Sequence, residues 1–251
     1  MKIAIAGGTG TVGRHAVSSA QQRGHAVVVL SRKNGVDVID GAGLDQALVG
    51  VDVVVDVLNT TTLSTKKAVN FFSTVTRNLL AAEARSSVSH HVALSIVGID
   101  SIDTSYYAGK LAQERLILAS DVPHTIARAA QFHEFAQQIA SQTTVGPVTL
   151  VPRTLSRPVA AFEVGAHLIE VAESTPAGRA QDLIGPQNET LVGMVRRMYA
   201  HDGISRRALD IRFPGSYGAG LASGALHGDE SVSRISATTF DDWLGSATRV
   251  R

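Results

Sequence analysis

A short apolar run, Lys2 to Ala6, ends directly in Gly7-Gly8-Thr9-Gly10-Thr11-Val12-Gly13. Thr11 to Arg23 then continues with helical character. A buried strand that breaks on glycines spaced G-x-x-G-x-x-G and re-forms at once as a helix tightly limits how the chain can fold. Gly7 allows a sharp turn, Gly10 a close backbone approach to whatever lies outside the turn, and Gly13 close packing of helix on strand. The free N–H groups at the helix start, with the positive end of its dipole behind them, form a seat for phosphate.

The rest of the first half repeats this alternation. His25–Ser31, Val36–Ile39, Asp52–Leu58, His91–Val97 and His124–Ala129 read as further strands. Leu44–Val49, Thr65–Arg85 and Tyr106–Ala119 read as helices, with Phe71, Val75, Leu79 and Ala82 at helical spacing in the second. Apolar strands without polar alternation, separated by helices, predict a parallel sheet covered on both faces. The fold class is therefore α/β, a Rossmann-type doubly wound parallel sheet with a small C-terminal region beyond it.

With 251 residues, one domain over 1–251 is expected. Its core spans about residues 1–129 plus a later strand near 182–185, with covering segments at about 130–180 and 186–251. Val148–Val151 is a further strand, and Val164–Ala172 and Thr190–Tyr199 are helices. Ile211–Gly228, with Gly215, Gly218, Gly220, Gly224 and Gly228, reads as a loop or lid, or equally as a plain surface connection. Trp243, in a short helix at Thr239–Leu244, is a packing anchor.

Composition narrows the partners. A net charge of +1 argues against nucleic acid. The absence of cysteine excludes disulfides, thiolate metal sites and thiol nucleophiles, and fits a reducing cytoplasm. No targeting segment and no membrane-length apolar run is read, so no membrane association is expected. His133-Glu134 begins like a zinc-protease motif but meets Gln137 where a second histidine is needed, so no metal is expected. His90-His91 reads as solvent-facing. No G-x-S-x-G follows a strand, which disfavours a serine hydrolase.

The second strand ends Leu30-Ser31-Arg32-Lys33 where an NAD-selecting site usually carries an acid. Arg32, with Ser31 and Arg14, suits the 2′-phosphate of NADP; Asp37 and Asp40 are the candidates if NAD is bound instead. Tyr106 and Lys110 form Y-x-x-x-K, which puts both side chains on one helix face. An ammonium beside a phenol lowers its pKa and equips it for proton transfer, and Tyr107 is an alternative to Tyr106 for facing the pocket.

These stretches resemble the short-chain dehydrogenase/reductase superfamily and, within it, the atypical, NmrA-like NAD(P)-binding branch. The resemblance is carried by Ala6–Arg14, Leu94-Ser95-Ile96-Val97-Gly98, Tyr106–Glu114, Thr125-Ile126-Ala127-Arg128, the stretch Ala130–Phe135, Arg157–Gly165 and Gly185-Pro186. It implies about seven parallel strands and a catalytic set of Ser95, Tyr106 and Lys110, with Ser95 orienting a substrate carbonyl and Lys110 also holding the nicotinamide ribose. Cofactor contacts are expected from Gly7, Thr9, Gly10, Thr11, Val12, Gly13, Arg14, Ser31, Arg32, Asn59, Lys110, Gln131 and Phe132. Ala129 stands where related epimerases and reductases often have proline after the strand's arginine.

The function so implied is an NADP-dependent oxidoreductase that transfers hydride to a small carbonyl, quinone or enone, as a monomer or homodimer. A redox sensor that binds NADP(H) without turnover and acts on a protein partner is the alternative, and a nucleotide-sugar epimerase or dehydratase a further one. One titration tests the cofactor expectation. NADPH binds more tightly than NADH, and Arg32→Ala lowers NADPH affinity about tenfold to a hundredfold while leaving NADH unchanged.

Overall fold

Both sequence parities of the first and third strands are buried, so neither face of the sheet they form meets water. The computed structural model describes residues 1–249. The N-terminal elements are β1 (Lys2–Ala6), α1 (Gly13–Gln22), β2 (Ala26–Leu30), α2 (Leu44–Ala47), β3 (Val53–Asp56), α3 (Thr65–Ser86), β4 (His90–Ile96), α4 (Ser105–Leu118) and β5 (His124–Ala129). Their order in the sheet is β5-β4-β3-β1-β2. β1 pairs in parallel with β2 on one side (Ala6 opposite Leu30) and with β3 on the other (Ala6 opposite Asp56). The chain winds outward in both directions from β1, which makes the sheet doubly wound and puts a switch point between β1 and β3.

Contacts divide the chain into two compact units. The first comprises Met1–Ser95, Asp103–Arg128 and Val164–Ala180. Ala4, Ala6 and Val54 pack there against Leu44, Val75 and Leu79 on one sheet face. Leu80 and Ile117 cover Ala93 and Ile126. On the segment that returns to this unit, a Cβ at Gly165 would lie 2.7 Å from the Ala16 backbone nitrogen of α1, so bare glycine permits that helix contact.

Two expectations fail in this unit. Val36–Ile39 is not a strand. Asp37 and Ala42 form an isolated antiparallel bridge, and Asp37 and Asp40 each accept a backbone N–H two residues on, 2.9 Å away. Asx turns and the positive-φ Gly41 and Gly43 bend the backbone, while Val36 and Val38 still bury their side chains. His90 and His91 do not face solvent. They are 2% and 0% exposed because β4 lies inside the sheet, and one ring nitrogen of each finds a buried partner. The His90 ring bonds the Thr125 hydroxyl at 2.8 Å, and His91 Nδ1 meets the Glu83 carboxylate at 2.8 and 3.0 Å. Burial disfavours a charged His91, but Glu83 outweighs it and raises the pKa.

The second unit comprises Ile96–Ile102, Ala129–Glu163 and the chain from Gln181 on. The strand Leu183–Ile184 pairs in parallel with Ala129 and with Arg234–Ile235. Val148–Pro152 lies between Thr144–Val145 and Arg207–Ile211 in a separate three-stranded sheet. The glycine-rich stretch expected as a loop or lid contains the helix Gly215–Ala222. Two of its glycines serve close approach: a Cβ at Gly220 would meet Ile102 at 2.8 Å, and one at Gly218 would meet the Phe213 carbonyl at 1.8 Å.

Trp243 is fully buried against Phe240 and His133, and its indole nitrogen donates to Glu134 at 3.2 Å. No helix among the described residues is long and apolar enough to cross a membrane.

His133 generates a prediction. It is 1% exposed and its Nε2 donates to the Thr238 carbonyl at 3.1 Å, so the neutral ring fits its site. Burial depresses its pKa to about 4, below the unfolded value of about 6.5. The unfolded chain therefore takes up this proton first on acidification, and the stability held above pH 6.5 drains away as pH falls toward 4. Between pH 7 and pH 5 the wild type loses about 2 kcal/mol more than His133→Gln in urea unfolding, and the His133 ring resonance titrates near pH 4.

Candidate functional site

Parallel strands end on one edge, and the first unit collects its chemistry there. Gly7 follows β1, Ser31 and Arg32 follow β2, Asn59 follows β3, and Ser95 is the penultimate residue of β4. This carboxyl edge, at the switch point, is where open α/β sheets bind ligands.

The glycine loop is built from close backbone contacts. Gly7 has φ +83°, and a Cβ there would sit 2.8 Å from the Val57 carbonyl oxygen. Gly10 N donates to Gly7 O at 2.9 Å, closing the turn. A Cβ on Gly13 would lie 2.1 Å from Gly7 O and 2.7 Å from Gly8 Cα, so the first turn of α1 rests on the loop itself. Thr9, Gly10 and Thr11 form an exposed lip, Val12 is buried beneath it, and α1 carries no acid in its first turn. The cradle is one that side chains would fill, and its residues fit a pyrophosphate.

At the end of β2 a single 3₁₀ turn, Arg32–Asn34, carries Arg32 outward. The Asn34 amide donates to the Val29 carbonyl at 3.0 Å and pins that turn. Arg32 is exposed and has no hydrogen-bond or ion-pair partner among the described residues, and Ser31 beside it is extended and half-buried. Arg14 is exposed, its Nε 3.4 Å from the His15 ring. Asp37 and Asp40 have an oxygen engaged in their own turns.

Of the Ser–Tyr–Lys set, the structure joins some members by partners that the sequence did not announce. The Tyr106 hydroxyl donates to Asn59 Oδ1 at 2.8 Å, while Tyr107 is 5% exposed with its ring against Tyr106. Tyr106 follows Ser105, a non-glycine residue with φ +55°. Ser105 is held there by its N–H to Thr65 Oγ1 at 2.8 Å and its hydroxyl to the Leu63 carbonyl at 2.7 Å. That backbone state costs of order 1 kcal/mol and fixes how α4 presents Tyr106.

Lys110 is 3% exposed. Its ammonium donates to Leu94 O at 2.7 Å and Gln113 Oε1 at 2.6 Å, and it lies 4.7 Å from the Phe72 ring centre. Burial lowers its pKa to about 8 against the pull of Asp56 and Glu114. Gln113 Nε2 donates in turn to Asp56 Oδ2 at 2.8 Å. The Ser95 hydroxyl is buried without a hydrogen-bond partner among the described residues. Gln131 and Phe132 belong to the second unit, where both are half-buried and Phe132 bridges Val159.

Asp56 and Gln113 escaped the sequence reading. The signal was present: Asp56 interrupts an apolar strand, and Gln113 continues the Tyr106–Lys110 stripe by one more helical step.

A family model described as NAD(P)H-binding matches residues 7–166, which spans this whole edge. The chain belongs to that NAD(P)H-binding family. No curated protein matches it in sequence. Among solved structures it is similar to an NADPH-dependent quinone oxidoreductase from Escherichia coli complexed with NADPH, at 16% identity and TM-score 0.73, over 96% of this chain and 98% of that one. It is also similar to a triphenylmethane reductase from Citrobacter sp., at 13% identity and TM-score 0.68, over 92% and 93%. A UDP-glucose-4-epimerase from Stenotrophomonas maltophila with bound NAD gives 14% identity and TM-score 0.72, over 97% and 96%. These likenesses show the NAD(P)-binding Rossmann fold.

The two loop glycines separate on substitution. Gly13→Ala forces α1 off the loop and costs about 1–3 kcal/mol in urea unfolding. Gly10→Ala, whose Cβ meets only Gly7 O at 3.3 Å, costs less stability but weakens NADPH binding, read by fluorescence titration.

Proposed function

We propose that the protein is an NADPH-dependent reductase acting on a small carbonyl, quinone or enone. The observation that carries the reading is the Ser95 hydroxyl, buried and without a hydrogen-bond partner among the described residues, on a strand that ends at the same sheet edge as the glycine loop; a hydroxyl so left lacks an acceptor, and a substrate oxygen would supply one. The NADPH-dependent quinone oxidoreductase among the similar structures supports the same chemistry.

Bound NADPH supplies the hydride. Ser95 donates a hydrogen bond to the substrate oxygen and orients it. Tyr106 shifts its phenol hydrogen bond from Asn59 to that oxygen and delivers the proton there. Lys110, held from below, stabilises the phenolate that remains. Arg32 meets the adenosine 2′-phosphate, for which its free guanidinium is suited, and Ser31 and Arg14 assist it. Gly7, Thr9, Gly10, Thr11, Val12 and Gly13 seat the pyrophosphate, with Asn59, Gln131 and Phe132 as further cofactor contacts.

One observation favours the second reading, a redox sensor that binds without turnover: both hydrogen bonds of the Lys110 ammonium run inward, to Leu94 and Gln113. Differential affinity for NADP and NADPH, with no substrate reduced, marks the sensor.

The test is NADPH oxidation, followed by absorbance, over a panel of quinones, aldehydes, ketones and enones. At least one quinone or carbonyl is reduced, and Tyr106→Phe lowers kcat about a hundredfold with NADPH affinity unchanged. No oxidation across the panel overturns the reductase.

A further inference from the structure

We infer that Asp56 and Gln113 are positioning residues that set the charge and place of Lys110 and, through the same carboxylate, the loop that carries Asn59 to Tyr106. The inference rests on the reductase reading for its catalytic meaning, but the network stands on its own geometry.

The chain of bonds is continuous. Lys110 Nζ donates to Gln113 Oε1 at 2.6 Å, and Gln113 Nε2 donates to Asp56 Oδ2 at 2.8 Å. The second carboxylate oxygen, Oδ1, accepts the Leu58 N–H at 2.9 Å. Leu58 directly precedes Asn59, whose Oδ1 accepts both the Thr60 N–H and the Tyr106 hydroxyl at 2.8 Å. Asp56 thus reaches both members of the Y-x-x-x-K pair, one through an amide and one through the backbone. Its two oxygens are spent on those tasks, and it is 0% exposed.

The polarity of the chain is fixed. An ammonium only donates and a carboxylate only accepts, so a link between them must present an acceptor to one and a donor to the other. A glutamine amide does this in one orientation only. At 1% exposure Gln113 has no water to substitute for either bond. A buried lysine held only by neutral groups would shed its proton, because burial penalises the charged form. The carboxylate two links away offsets that without collapsing onto the ammonium, which leaves Lys110 held in place but not neutralised by direct contact.

Other charges around the network are accounted for. On α4, Glu114 also favours the charged lysine, but Arg128 of β5 grips both its oxygens at 2.8 and 2.6 Å, and Arg179 lies 3.3 Å away. On β4, His91 feels Asp56, but its own partner is Glu83 of α3. From α3, Phe72 offers only its ring face. Tyr106 and Tyr107, one turn before Lys110, are the remaining titratable neighbours on the helix itself.

The experiment follows the Lys110 side-chain resonances against pH in lysine-labelled protein, which has only five lysines (Lys2, Lys33, Lys66, Lys67 and Lys110). The expected wild-type midpoint is about 8. Asp56→Asn turns a donor toward Gln113, which must flip and face the ammonium with its own N–H groups; the midpoint falls by about one pH unit. Asp56→Asn combined with Gln113→Glu moves the carboxylate one link toward Lys110 and restores donor-to-acceptor order throughout; the midpoint rises to the wild-type value or beyond it.

Gln113→Met, which breaks the relay at nearly constant volume, lowers the midpoint and serves if Asp56→Asn does not fold. In turnover, the alkaline limb of kcat against pH moves with the lysine midpoint in each variant. Midpoints that ignore all three variants overturn the positioning role, whether or not a substrate is reduced. Midpoints that move as stated without any quinone or carbonyl reduction retain it and overturn the reductase reading instead.

Discussion

The first turn of α1 rests on bare backbone. With no Cβ at position 13, the helix descends onto Gly7 and Gly8, and that descent determines where β1 stops, which way its loop faces and how the helix N–H groups are aimed. β1 is also the strand from which the sheet winds in both directions. One backbone contact therefore sets both the origin of the topology and the floor of the nucleotide cradle. A methyl group there would not only block a ligand. It would lift the helix from the strand at the point where sheet packing begins.

The second organising feature is the cost of burying charge in a sheet covered on both faces. Asp56, Glu83, His91, Lys110, Glu114 and Arg128 are all buried in the first unit. Each is tolerated because a partner of opposite character faces it: Glu83 with His91, Glu114 with Arg128, and Lys110 with Asp56 through Gln113. Removing one member of such a pair leaves an uncompensated charge and is far more damaging than replacing both. The two ion pairs tie strands to helices. The lysine is handled differently, by an intervening amide, and it is the one of these groups that sits on the Y-x-x-x-K stripe.

Much of this was legible in the chain. The strand–glycine–helix unit fixed the class of fold, because glycine spacing and uninterrupted valine-rich runs have few other uses. Boundaries of β1, β5 and α3 fell within a residue or so of the reading. What stayed hidden depended on contacts across the fold. Val36–Ile39 has strand-like residues, yet two Asx turns and two left-handed glycines bend it. The glycines between 211 and 228 look like flexibility in sequence, but Gly218, Gly220 and Gly228 serve tight packing in space. His90 and His91 look polar and solvent-bound, but their partners lie eight residues back on a helix and on the adjacent strand. The Tyr106–Lys110 spacing located the candidate site, but not Asn59 as the phenol's partner, nor Asp56 beneath both.

The Asx turns at Asp37 and Asp40 carry a consequence for redesign. Both acids that could coordinate an unphosphorylated ribose are already holding their own loop in shape, while the Arg32 guanidinium at the end of β2 has no partner among the described residues. Exchanging one dinucleotide for the other is therefore not a matter of deleting a single cation. An engineer would need to rebuild the segment from the end of β2 to Gly43 so that an acid is released from its turn without unseating Val36 and Val38. Selectivity between the two dinucleotides would then rest on the architecture of that loop.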